Sequence, residues 1–152
     1  MSVAIFVSIL ALVSYSLLST PGNVHLANVP TRFTVNGHAF AITYVAADEG
    51  SRERGLMNIK VTNTTTMLFV FPSPGEYSFW MSGVNSSLDI IWLSVTGEVG
   101  RVVYIAQNVP ACNSSLLCPD YQPTSSANYV LETKGGFANA NAITVGSEIE
   151  FS

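Results

Sequence analysis

The chain has 152 residues, enough for one domain with its own hydrophobic core and too few for two. Its formal net charge is −4 and its six Lys and Arg residues are scattered, which argues against a nucleic-acid partner. The two histidines, His25 and His38, are too few for a three-histidine zinc site, and we predict neither a metal nor a cofactor. The composition is poor in charge and rich in Val, Thr, Ser and Asn, which favours sheet over helix.

The chain begins with an apolar leader. Residues 3–18 are apolar apart from three serines, and Thr20, Pro21 and Gly22 break any helix that they form. This length fits either a secretory signal peptide or a short N-terminal membrane anchor. We therefore predict a leader over residues 1–22, a linker over 23–30 and a single domain over 31–152. Either type of leader places the domain outside the cell or on the outer face of the cytoplasmic membrane, with membrane contact only through the leader.

The domain is predicted to open with a β-hairpin and a short helix. Residues 32–35 and 39–45 alternate as strands do, and Asn36-Gly37 between them is a strong signal for a tight turn. Asp48 can cap a helix that runs through Arg54, and Gly55 can end that helix in the left-handed conformation.

Three apolar runs of strand length occupy the centre of the sequence, over residues 67–71, 77–81 and 88–95. The Pro-Ser-Pro-Gly sequence at 72–75 predicts a turn after the first run, and residues 82–87 form a second connection. Residues 99–106 are predicted to pair with the third run through a turn at Thr96-Gly97. This pairing gives a second hairpin.

A long loop over residues 107–126 contains Cys112 and Cys118. In an exported protein such a pair most simply forms a disulfide, which would tie the loop down. A redox or metal-binding pair is the alternative, but five residues separate the thiols and no histidine is near them in the sequence. Three N-x-[ST] sequons, at Asn63, Asn85 and Asn113, fall in predicted loops, where an exported protein could carry glycans.

Two more strands are predicted at the end of the chain, over residues 128–132 and 143–151. A Gly135-Gly136 turn and a single helical turn over 137–142 lie between them. Seven to nine short strands with turns at this density predict an all-β fold with one short helix, either a β-sandwich or a partly closed barrel.

Six short motifs occur in a recognisable order. They are RGLM at 54–57, MLFVF at 67–71, FWM at 79–81, LDIIWL at 88–93, YVLE at 129–132 with Gly136, and VG at 145–146. In this order they resemble the DUF192 family of small bacterial and archaeal proteins, over roughly residues 40–151. The resemblance implies a jelly-roll-like β-sandwich, often behind a signal peptide, with no established biochemical role. The segment from Cys112 to Tyr121 looks like that of archaeal members.

One group of side chains is the candidate ligand-binding site. Its members are Arg54, Trp80, Met81, Asp89, Tyr121 and Glu132. A carboxylate within an apolar strand should have a partner, and the guanidinium of Arg54 is suited to pair with Asp89. This arrangement predicts either a shallow polar pocket with Trp80 and Tyr121 as its walls, or a structural ion pair that anchors the helix to the sheet.

Two classes of function remain open. The first is a non-catalytic binding module of the cell envelope, for a small molecule, a glycan or another envelope protein. The second is a hydrolase of envelope glycans that uses Asp89 and Glu132 as acid and base. Binding of Cu(I) by Met57, Met67 and Met81, with Trp80 over the ion, is a further alternative. We favour the binding module, because the sequence contains no recognisable nucleophile or phosphate-binding motif.

Overall fold

The computed structural model describes residues 29–112 and 117–152. Its strands and helices, in chain order, are β1 (Arg32–Val35), β2 (His38–Ala41), β3 (Tyr44–Ala46), α1 (Glu49–Arg54), β4 (Thr66–Gly75), β5 (Phe79–Trp80), β6 (Leu88–Thr96), β7 (Val99–Val109), β8 (Asp120–Tyr121), β9 (Ala127–Lys134), α2 (Phe137–Ala140) and β10 (Glu148–Phe151). The predicted leader, most of the predicted linker and the sequon at Asn113 lie outside the described residues.

Eight strands form one sheet in the order β2-β1-β10-β7-β6-β9-β4-β3, and β5 and β8 form a separate two-stranded ribbon. Neighbouring strands are antiparallel except for β3 and β4, which are parallel. The large sheet is strongly curled and forms a half-barrel. The predicted all-β class is confirmed, and the partly closed barrel is the architecture observed.

Both predicted hairpins are present. Asn36 and Gly37 have positive φ values of 49° and 79° at the turn between β1 and β2, as a tight hairpin turn requires. The β6–β7 hairpin turns at Gly97, whose φ is 62°.

The predicted helix and its cap are also confirmed. Asp48 caps α1, because its Oδ1 accepts a hydrogen bond from the Ser51 amide at 2.9 Å. Gly55 ends the helix with a positive φ of 47°, but its ψ of −138° lies outside the left-handed helical region.

Several predicted element boundaries are wrong; the strand predicted over 143–151, for example, is only Glu148–Phe151. Two of the errors have a clear physical cause. Residues 39–45 are not one strand, because Thr43 and Thr66 exchange hydrogen bonds between side chain and amide that turn the chain from β2 into β3. The prolines at 72 and 74 do not end β4, which continues to Gly75 with a shift of register against β9 after Val70. Since β3 pairs only as far as Phe69, these prolines lie where no partner needs their missing N–H groups.

The sheet buries apolar side chains on both faces. The α2-side cluster includes Ile91 and Leu93 of β6 together with Ala138 of α2. The ribbon-side cluster includes Ile90 and Trp92 of β6, together with residues from the loop that follows α1, from β4 and from the ribbon. Successive side chains of a strand point to opposite faces, so both faces of β6 are covered.

No helix among residues 29–112 and 117–152 is long and apolar enough to cross a membrane.

Candidate functional site

Asp89 is a structural anchor on the α2 side of the sheet. The residue is 0% exposed, and its carboxylate accepts hydrogen bonds from three backbone amides: Asn108 at 2.7 Å, Gly136 at 3.2 Å and Ala138 at 2.7 Å. Two of these amides lie at the start of α2, whose N-cap is a glycine without a side-chain cap of its own. Asp89 therefore joins β6, β7 and α2.

The local backbone is shaped for this contact. Register between β6 and β7 shifts between the Leu88 and Ile90 pairs, and at this bulge Asn108 has a φ of 50°. A Cβ on Gly135 would lie 2.5 Å from the Ser87 Oγ, so only glycine allows the turn before α2 to approach β6 this closely.

The predicted ion pair between Arg54 and Asp89 is wrong. The side chain of Arg54 is exposed and lies on the α1 side of the molecule, beside Asp48. Hydrogen bonds from Ser51 lower the pKa of Asp48, and the charge of Arg54 acts in the same direction. The carboxylate of Asp89 obtains its compensation from amides instead of a guanidinium.

A different arginine anchors α1 to the sheet. The Nη1 of Arg52 donates to the carbonyl oxygens of Ala47, at 2.7 Å, and Val70, at 3.1 Å. Its guanidinium carbon also lies 5.2 Å from the ring centroid of Phe71. Arg52, and not Arg54, therefore fixes the helix to the sheet, and it does so through backbone carbonyls instead of an ion pair.

Glu132 is the second buried carboxyl group, and it is on the opposite face from Asp89. In the β6–β9 register, Glu132 pairs with Ile90 of the ribbon-side cluster, whereas Asp89 pairs with Thr133. Glu132 is 3% exposed, and its Oε2 has no hydrogen-bond partner among residues 29–112 and 117–152. Burial raises the pKa of Glu132 to about 8, so the group is mostly protonated at neutral pH.

A small cavity of about 20 Å³ lies beside Glu132, between the C-terminal end of α1 and the ribbon. Arg54 and Trp80 of the predicted site also line it. The sequence analysis missed the other lining residues, which are Arg52, Glu53, Gly55, Leu56, Phe69, Phe79, Ser82 and Val84. Several of these residues belong to the RGLM and FWM motifs, which also contain Arg54 and Trp80. Membership of these motifs is the sequence signal that could have placed them at the same site.

The remaining predicted site residues lie elsewhere in the ribbon-side cluster. Met81 is fully buried, and Tyr121 packs against the same cluster opposite Phe79 of the ribbon. Neither residue lines the cavity. Of the six predicted site residues, the structure therefore brings Arg54, Trp80 and Glu132 together.

The methionines proposed for Cu(I) fill space in the protein. Met67 is 5% exposed and Met81 0%, both within the ribbon-side cluster. Met57 packs on Gly83, where an added Cβ would meet its Cγ at 2.5 Å. These surroundings are those of core side chains, and nothing in them favours a copper site.

Cys112 and Cys118 form the predicted disulfide. Cys112 makes isolated β-bridges to Ser82 and Val84, so this cysteine is held against the segment that borders the cavity. The sequons at Asn63 and Asn85 are exposed outside the strands, and Asn63 accepts a hydrogen bond from Lys134 at 2.9 Å.

The fold and the site together define a small half-barrel domain in which, among the residues that the structure describes, a buried carboxyl group with one unpartnered oxygen lines a cavity on the ribbon-covered face. The chain belongs to the DUF192 family, described as Uncharacterized ACR, whose model matches residues 31–151. Among curated proteins, none matches the chain.

The solved structures that are similar to it include two bacterial proteins. One is a protein of unknown function from Novosphingobium aromaticivorans DSM 12444, with 26% sequence identity and a TM-score of 0.64, over 84% of this chain and 91% of that protein. The other is a putative transcription regulator from Sinorhizobium meliloti 1021, with 25% identity and a TM-score of 0.63, over 79% of this chain and 90% of that protein.

Proposed function

We propose that this protein is an exported, non-catalytic binding module of the cell envelope, and that its ligand binds at the Glu132 cavity. The observation that carries the proposal is a carboxyl group in an apolar face whose Oε2 has no partner and which borders a cavity. A buried polar atom without a partner is destabilising, and Glu132, unlike Thr133, combines such an atom with a position in the wall of a cavity.

A binding role is supported over hydrolysis by the position of the two carboxyl groups. A glycosidase needs both on either side of one bond, but Asp89 and Glu132 are on opposite faces of the sheet. The carboxylate of Asp89 is also occupied by three amides, so it has no access to a substrate.

Export is supported by the apolar leader and by the disulfide, which forms in oxidising compartments. The Sinorhizobium meliloti protein is named a putative transcription regulator, but a net charge of −4 with six scattered Lys and Arg residues argues against a nucleic-acid partner for this chain.

The proposal can be tested with small probe molecules and amide NMR spectra. Acetamide, acetate, methanol, methylammonium and N-acetylglucosamine would each be added at millimolar concentrations to the wild type. We expect at least one probe to shift the amides of Gly55, Leu56 and Ser82, and Glu132→Leu to abolish that shift. Glu150→Gln, at an exposed position on β10, is the matched control. If no probe shifts these amides, or if the shifts persist in Glu132→Leu, the proposal is wrong.

A further inference from the structure

The size of the Glu132 cavity restricts what can enter it. About 20 Å³ is room for one group of the size of a water molecule. A primary ammonium group has this size, whereas a trimethylammonium group or a sugar ring does not. The rest of such a ligand would remain at the mouth, where Trp80 is 45% exposed.

The walls of the cavity suit a cation. Glu132 supplies a buried carboxyl group, and Phe69, Phe79 and Trp80 supply aromatic rings. A carboxylate accepts strong hydrogen bonds from an ammonium group, and aromatic faces attract cations.

The two arginines of the wall are directed elsewhere. Arg52 donates to the carbonyls of Ala47 and Val70, and the charge of Arg54 acts on Asp48. Glu53 also lines the cavity, and because Glu53 and Arg54 are both exposed, solvent screens their opposite charges.

We propose that the cavity binds small soluble primary amines, whose ammonium group donates to the carboxylate of Glu132. The inference rests on the proposed function and names the ligand class of the same site. Binding begins from a neutral carboxyl group, so the Glu132 proton leaves to solvent as the ammonium enters. One carboxylate–ammonium pair forms, and one proton is released for each protonated carboxyl group that binds an amine.

The test uses methylammonium chloride and the intact chain with its disulfide. Trp80 is exposed at the mouth and Trp92 is fully buried, so a change in tryptophan fluorescence reports on Trp80. Two heavy atoms limit the affinity to a Kd on the order of 10 mM at pH 8. Methanol, which has the same number of heavy atoms and no charge, should produce no saturable change, and sodium chloride controls for ionic strength.

The affinity should depend on pH. Because the pKa of Glu132 is about 8, the ionised fraction and hence the affinity should fall about 50-fold from pH 8 to pH 6. Calorimetry at pH 7 in two buffers with different ionisation enthalpies should show about 0.9 proton released per amine bound. This measurement needs no variant, so it decides the matter even if substitutions at this position impair folding.

Two variants complete the experiment. Glu132→Gln keeps the size of the side chain and removes its charge, and it should abolish methylammonium binding, while Glu150→Gln should bind like the wild type. The inference is overturned if methylammonium and methanol give equal responses, if Glu132→Gln binds normally, or if no proton is released. Binding of acetamide at Glu132 together with failure of methylammonium would overturn this inference and leave the proposed function standing.

Discussion

Replacing Asp89 by alanine should strongly destabilise the domain. The substitution would leave the amides of Asn108, Gly136 and Ala138 without their acceptor in a fully buried site. A hydrogen bond to a charged group is worth about 1.5–3 kcal/mol, and each unsatisfied buried donor costs about 1–3 kcal/mol. Because the structure can relax and the three bonds share one carboxylate, we expect a loss of about 3–5 kcal/mol. Domains of this size have about 5–15 kcal/mol in total.

Urea denaturation followed by tryptophan fluorescence measures this loss as a lower midpoint at an unchanged slope. Asp120→Ala, which removes an exposed carboxylate from β8, is the matched control and should change stability by less than about 0.5 kcal/mol. Arg54→Gln should be equally mild. If Arg54→Gln destabilised the protein as much as Asp89→Ala, and the double variant lost no more than either, the two residues would be a pair and our account of Asp89 would be refuted.

Three further predictions concern stability. The pKa of Glu132 rises from 4.5 when unfolded to about 8 when folded, so its contribution to stability is complete below pH 4.5 and is lost as pH rises to 8. Urea denaturation should show a loss of about 1.4 kcal/mol per pH unit in this range, and this loss should be absent in Glu132→Gln. Thr133→Val removes a buried hydroxyl without a partner and should leave thermal stability unchanged or raise it by up to about 1 kcal/mol; a clear loss would reveal a partner. Replacing both Cys112 and Cys118 by serine should lower the free energy of unfolding, measured in urea, by about 2 kcal/mol. An unchanged free energy would show that the segment between the two cysteines is already ordered in the unfolded chain.

Local sequence signals predicted much of the fold. The Asn36-Gly37 turn and the Asp48 cap act through neighbouring residues, so they were visible without tertiary information. The break between β2 and β3 was not, because it depends on hydrogen bonds between Thr43 and Thr66, which are 23 residues apart. The prolines of β4 were wrongly predicted to end the strand for the same reason. Whether β4 can contain proline depends on where β3 stops pairing with it.

The candidate site was predicted only in part. A carboxylate within an apolar strand needs hydrogen-bond partners, and Asp89 has them in the structure. These partners are backbone amides, which nearly every residue carries, so the sequence does not show that they, and not an arginine, bind Asp89. The face of the sheet that a carboxyl group occupies depends on the register of its strand, and the sequence does not determine this register for Asp89 and Glu132. Trp80 and Arg54 line the same cavity as Glu132, whereas Met81, Asp89 and Tyr121 do not.

The hydrogen bonds made by Asp89 also bear on the order of folding. α2 is a single turn, too short to persist in isolation, and its first amides are held by a residue from the β6–β7 hairpin. The α2 helix can therefore form only after the β6–β7 hairpin has formed. The amide of Ala138 should exchange with deuterium as slowly as amides in the middle of β6, although it belongs to one of the shortest elements near the end of the chain.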